Sequence, residues 1–160
     1  CDVVVEMAEA VVSLTQNAAK KQVLVDFTYP ENIPVIIGDG VRLQQVFVNL
    51  LDNALKYTPQ GGSIVVDMKV QENELQIMVS DTGCGIAPDD LEHIKQKFYK
   101  GKDAVRGSGI GLAIADEIVL SHGGRLDIAS TLRVGTTVTV RLPLQGQSLT
   151  SENKEETSYE

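Results

Sequence analysis

The chain has 160 residues, a net charge of −8 and 42% hydrophobic content, enough for a single domain with a proper core. The acidic balance argues against general nucleic-acid binding, which needs clustered lysine and arginine. There is no apolar run of membrane-spanning length and no signal-peptide pattern, so this domain is not expected to touch a membrane.

In chain order, residues 2–21 carry Val4, Ala8, Val11, Leu14 and Ala18 at helical spacing and end in Lys20-Lys21. Because the chain opens at Cys1 inside this helical pattern, it is expected to be a piece of something larger. Residues 22–29 predict a strand, and Pro30 and Pro34 bracket a loop before the short apolar run 35–37. Asp39 is placed to cap a helix that Pro59 and Gly61-Gly62 stop. Its core stripe is Leu43, Phe47, Leu50, Leu51 and Ala54, while Asn49, Asn53 and Lys56 stack at i, i+4 and i+7 beside Arg42 and Gln45. Asparagine is a mediocre helix former, so two of them one turn apart suggest a role for neutral oxygen or amide ligands. The wet side of an amphipathic helix is the alternative reading.

Residues 64–70 and 75–79 alternate and are joined across Glu72-Asn73-Glu74 as a hairpin, followed by Asp81-Thr82-Gly83-Cys84-Gly85-Ile86. Pro88 to about residue 98 predicts a short helix, 99–107 a polar loop, and 108–122 a helix closed by Gly123-Gly124. Residues 125–130 and 136–142 predict two final strands ended by Pro143; from Gln145 the chain is polar, acidic and expected to be disordered. This order is not strict βαβ alternation. It predicts an α+β fold, a two-layer sandwich with helices on one face of a mixed, mainly antiparallel sheet.

Two glycine clusters follow the asparagine helix. In Asp81-x-Gly83-x-Gly85, glycines let backbone approach a planar ligand and the carboxylate can accept from an exocyclic amine, although a tight turn after a strand explains the pattern as well. In Gly107-Ser108-Gly109-Ile110-Gly111-Leu112, bare N–H groups at a helix start attract anions. Lys95, Lys97, Lys100, Lys102 and Arg106, five of the 14 basic residues, precede it; they suit a triphosphate, or else form a solvated face. A dinucleotide fingerprint fails because Leu112 stands where glycine or alanine is needed. Neither a Gly-x-x-x-x-Gly-Lys-Ser/Thr loop nor the eukaryote-type kinase motif set occurs. The two cysteines, Cys1 and Cys84, have no metal-ligand spacing and point to a reducing, cytoplasmic compartment, with Cys84 a bystander thiol.

Taken together in this order, the signals resemble the ATP-binding catalytic domain of bacterial sensor histidine kinases. That domain belongs to a superfamily with DNA gyrase and the mismatch-repair and heat-shock chaperone ATPases. The resemblance covers about residues 20–144: residues 49–57 match the N box, 81–86 the G1 box, Phe98-Tyr99 part of the F box, 107–112 the G2 box, and Gly135-Thr136 the final glycine-threonine pair. It implies a Bergerat-type fold binding ATP and Mg²⁺. Asp81 would accept from the adenine amino group, with Thr136 near it through water, in the turn built by Gly83 and Gly85. Ile86 and Leu112 would line the adenine. Asn53 would ligate Mg²⁺ with Asn49 close by. Lys56, Tyr57, Tyr99 and Lys100 would serve phosphate or ribose, and the amides of Gly107, Ser108, Gly109, Ile110 and Gly111 would hold the anionic tail.

The F box departs from the family at Lys95, where phenylalanine is common, so looser lid packing is expected. ATPase members carry glutamate at the position of Asn49 to activate water; an amide cannot take that proton, which implies a kinase with weak hydrolysis. No catalytic acceptor is expected in the chain, because neither His93 nor His122 stands in the family's Ser/Phe-His-Glu/Asp-hydrophobic-Arg-x-Pro motif. Residues 1–20 would then end a linker helix from a missing dimerisation domain, 21–144 form the catalytic domain, and 145–160 a disordered tail. The implied partners are that domain and a response regulator. The parent would be a membrane-anchored homodimer, and the isolated domain a monomer. A serine kinase of a partner protein and a non-catalytic nucleotide sensor are the competing readings.

Overall fold

The computed structural model describes residues 1–91, 93 and 111–144. Helices form where a capping side chain meets an apolar stripe. Helix α1 (Val3–Lys21) starts at Asp2, whose carboxylate accepts the Val5 N–H at 3.2 Å, and stops at Gln22 in the left-handed region at φ 59°. After strand β1 (Leu24–Thr28), helix α2 (Gly40–Tyr57) starts at Asp39, whose carboxylate accepts the N–H groups of Val41 and Arg42. At the other end of α2, Lys21 Nζ donates to the carbonyls of Leu55 at 2.7 Å and Lys56 at 3.3 Å, groups a helix end otherwise leaves open.

Strands β2 (Ser63–Gln71) and β3 (Glu74–Asp81) form the predicted hairpin, with Glu72 and Asn73 both left-handed, as a two-residue turn matching strand twist requires. A short helix α3 (Pro88–Leu91), helix α4 (Gly111–Ser121) and a second hairpin, β4 (Arg125–Thr131) and β5 (Gly135–Pro143), complete the described chain. The sheet order is β1-β2-β3-β5-β4, with β1 and β2 parallel and every other pair antiparallel.

Period-two alternation divides this sheet into two faces. Ile64, Val66 and Met68, then Leu75, Ile77 and Val79, then Val138, Val140 and Leu142, with Leu126, are buried in one cluster with Leu43, Val46, Phe47, Leu50 and Leu51 of α2 and Ala115, Ile118 and Val119 of α4. The alternate positions are mostly polar, with Arg141 bound to Asp127 at 2.6 Å and Ser80 to Thr137 at 3.0 Å. Among the described residues, helices therefore cover one face, and the fold is the expected two-layer α+β sandwich.

Some local expectations shift. The buried stripe of α1 is Val3, Met7, Ala10, Leu14 and Ala18, so over its first half the core face lies one residue before the expected Val4, Ala8 and Val11. Apolar residues surround this helix, with Val5 and Val12 exposed, and only packing along α2 selects the face. Helix α1 shares the core of α2 and the sheet. Helix α3 is four residues long; His93, expected inside it, stands in a turn with its amide bonded to the Asp90 carbonyl at 3.0 Å. The expected lid residues 94–106, the first turn of the 108–122 helix and the 145–160 tail lie outside the described residues.

Candidate functional site

The inward face of the sheet is apolar row by row until its last row. Val66, Val79, Val138 and Ile128 pair across the four strands; two residues further on, the row reads Ile64, Asp81, Thr136 and Ser130. Alternation thus turns three polar side chains toward the helical layer, at the end of the sheet facing the C-terminal half of α2. A polar group in such a position needs a partner or a ligand.

Asp81 is half-buried and finds two protein partners. Its Oδ1 accepts the Gly83 N–H at 2.8 Å, and the backbone of Thr136, its partner in the β3–β5 register, also favours the ionised carboxylate. Burial nevertheless dominates and raises its pKa above the ordinary 3.8, the two backbone groups acting in the opposite direction. Burial likewise raises the Tyr57 phenol, with the neighbouring Cys84 adding to the effect.

The loop after Asp81 is held from several sides. Thr82 N–H donates to the Ser63 carbonyl at 3.1 Å, Cys84 N–H to the Tyr57 carbonyl at 3.2 Å, and Ile86 N–H to Ser130 Oγ at 2.8 Å. Neighbouring backbone alone already requires its glycines. A Cβ at Gly83 would stand 2.4 Å from the Tyr57 carbonyl oxygen, and one at Gly85, where φ is +73°, would stand 2.2 Å from that of Thr131.

A cleft of about 350 Å³, including its open mouth, lies between this loop, the sheet end and α2; Leu50, Ala54, Val79 and Val138 floor it, and Asn53, Tyr57, Asp81, Gly85, Ile86 and Thr136 complete the wall. Six of the expected site residues therefore meet in one concavity. Others do not line it. Asn49 donates its amide to the Gly111 carbonyl at 3.3 Å, tying α2 to the start of α4. Leu112 is buried in the core, Gly83 packs on Tyr57, and Lys56 is half-buried beside Asp52. Tyr99, Lys100, Gly107, Ser108, Gly109 and Ile110 lie outside the described residues. Ser130 was missed, although the alternation Leu126, Ile128, Ser130 already places it inward.

Among the described residues no cluster of three or more histidine, cysteine or acidic side chains could hold a metal. The oxygen donors of the cleft are instead the neutral amide of Asn53, the Tyr57 and Thr136 hydroxyls and the single Asp81 carboxylate.

An α+β sandwich with one carboxylate and one amide facing each other across an apolar floor defines a class of small-ligand sites between sheet and helix. Residues 38–146 match the family described as histidine kinase-, DNA gyrase B-, and HSP90-like ATPase. The chain belongs to this family, and its catalytic domain is of the ATP-binding kind found in sensor histidine kinases. It is 43% identical over 110 residues to the histidine protein kinase DivJ of Caulobacter vibrioides, covering 67% of this chain and 18% of that one. The solved mycobacterial sensor histidine kinase MprB superposes with a TM-score of 0.82 at 26% identity, covering 90% of this chain and 97% of that one. Full-length ShkA, solved in complex with AMPPNP, superposes at 0.81 and 26% identity, with coverage of 90% and 30%. The chain spans only 18–39% of the length of the curated relatives it matches.

Proposed function

We propose that this chain is the phosphoryl-donor domain of a two-component sensor kinase. It binds ATP with Mg²⁺ and donates the γ-phosphate to a histidine on a dimerisation domain outside the chain, for onward transfer to a response regulator. The observation that carries this reading is the convergence of Asp81, Thr136 and Asn53 on one apolar-floored cleft. Asp81 accepts from the adenine amino group, Ile86 and the floor residues cover the ring, and Tyr57 and Lys56 stand toward ribose or phosphate. The glycine-rich segment 107–111 and Lys100 hold the anionic tail.

Mg²⁺ fits this donor set: a hard ion that prefers oxygen and keeps several waters can take the Asn53 oxygen with the phosphates. When bound, it neutralises phosphate charge. The protein's remaining task is positioning, because phosphoryl transfer passes through a loose transition state that asks little covalent chemistry of side chains. Asn49 supports a kinase over an ATPase. Its amide donates to the Gly111 carbonyl and cannot serve as a base for water, so the γ-phosphate survives until a protein nucleophile arrives.

No described helix is long and apolar enough to cross a membrane. On this reading a membrane anchor and the homodimer contact belong to other parts of the parent, and the domain works on the cytoplasmic side, where ATP is. The test is to incubate the chain and the proposed dimerisation domain with labelled ATP. Acid-labile, base-stable phosphate on that domain is the expected result. Acid-stable phosphate would instead indicate a serine kinase, and no transfer at all a nucleotide-sensing module.

A further inference from the structure

Ser130 has no part in the assignments above, yet its hydroxyl has three neighbours. It accepts the Ile86 N–H at 2.8 Å, lies 3.0 Å from the Gly135 carbonyl oxygen, and lies 2.8 Å from Thr136 Oγ1. A hydroxyl owns one proton. The Gly135 carbonyl can only accept, so the Ser130 proton goes there, and the contact with Thr136 is a hydrogen bond only if Thr136 donates. With its proton turned toward Ser130, Thr136 presents the cleft with lone pairs alone. Asp81, its partner in the β3–β5 register, is also an acceptor when ionised.

We propose that Ser130 is a specificity-determining positioning residue. By holding the Thr136 proton away from the cleft, it makes this end a paired acceptor that selects a base with an exocyclic amino group over one with a carbonyl there. The inference rests on the nucleotide-binding reading and deepens it, naming what sets base selectivity. An amino group brings two N–H donors to two acceptors. A carbonyl in the same place meets acceptors only and stays unpaired in a half-buried site, where polar groups need partners. Without Ser130, the Thr136 hydroxyl is free to rotate toward that carbonyl, and the discrimination weakens. Ile86 loses the acceptor of its N–H at the same time, but that loss is blind to the base and lowers both affinities alike.

The test titrates ATP and ITP, which carry an amino group and a carbonyl at the same ring position, into the folded parent chain and its variants with Mg²⁺ present. The parent is expected to prefer ATP. Ser130→Ala is expected to lower that preference about tenfold, the worth of one hydrogen bond. Ser130→Thr, which keeps the hydroxyl, should restore it, and Ser130→Ala should cost no further preference in a Thr136→Val background. An unchanged preference in Ser130→Ala, with both affinities falling together, overturns the inference. So does a parent that binds ATP and ITP equally. A folded parent that binds neither nucleotide overturns the nucleotide-binding reading itself.

Discussion

Asp81 carries a cost to the fold that its proposed function explains. Its pKa is raised because burial disfavours the ionised form more than the Gly83 N–H and the Thr136 backbone favour it. A carboxyl with a folded value above its unfolded one binds a proton more readily in the native state. Its contribution to stability is therefore fully present below the unfolded value of 3.8 and is lost as pH rises through the raised folded value. At neutral pH the ionised group is thus a burden on the fold, and Asp81→Asn, whose amide oxygen can still accept from Gly83, should leave the melting temperature equal or higher. The same variant should weaken ATP by roughly 10–100-fold, the range expected for a hydrogen bond to a charged acceptor. In the parent, ATP affinity should begin to fall in acid at a higher pH than an ordinary aspartate would set. Melting curves and titrations across pH check both signs; a destabilised Asp81→Asn with parental ATP affinity would reverse the assignment. Asn53→Ala should remove the Mg²⁺ dependence of ATP binding, and a metal titration identical to the parent's would exclude Asn53 as a ligand.

Among the elements, α2 is the one on which the others are referenced. Lys21 ties down its C-terminal end, Asn49 its middle to the start of α4, and His122 its N-cap to the end of α4. His122 Nε2 accepts the Asp39 N–H at 3.0 Å and Nδ1 donates to the Ile118 carbonyl at 2.9 Å, while a Cβ on Gly38 would stand 2.6 Å from the imidazole. His122→Ala leaves those two groups to water and should cost about 1 kcal/mol, lowering the melting midpoint by about 2–4 °C. Gly38→Ala should cost a similar amount by displacing the ring, and little more once His122 is alanine. Additive losses in the double variant would show that Gly38 and His122 act independently. The Asp39 partner of His122 lies 83 residues away along the chain, and no local pattern names it. The α1 stripe fails for a related reason: an all-round apolar helix leaves the choice of face to its neighbour. The hairpins, α2 and its cap were legible because alternation, turn residues and capping are local signals.

At the level of the whole molecule, the architecture follows from the order of elements, and the site from where the sheet's alternation stops being apolar. Asp81 stood out beside Gly83 and Gly85, and Thr136 only through the resemblance carried by Gly135-Thr136. Ser130 did not: alternation with Leu126 and Ile128 turns it inward, but its partners Thr136 and Ile86 come only from the β4–β5 register and the loop after β3. For the glycines of the first cluster the sequence leaves a ligand and a tight turn open, and the crowding of Gly83 and Gly85 against the Tyr57 and Thr131 carbonyls is what the turn requires. The proposed function requires the cleft between α2 and the end of the sheet to take an adenine nucleotide with Mg²⁺. Isothermal titration of the folded chain with ATP and ADP in excess Mg²⁺ tests it most directly. Saturable binding at a single site, weakened in Asp81→Asn, is the result the account predicts; a folded chain that gives no association with either nucleotide would contradict it.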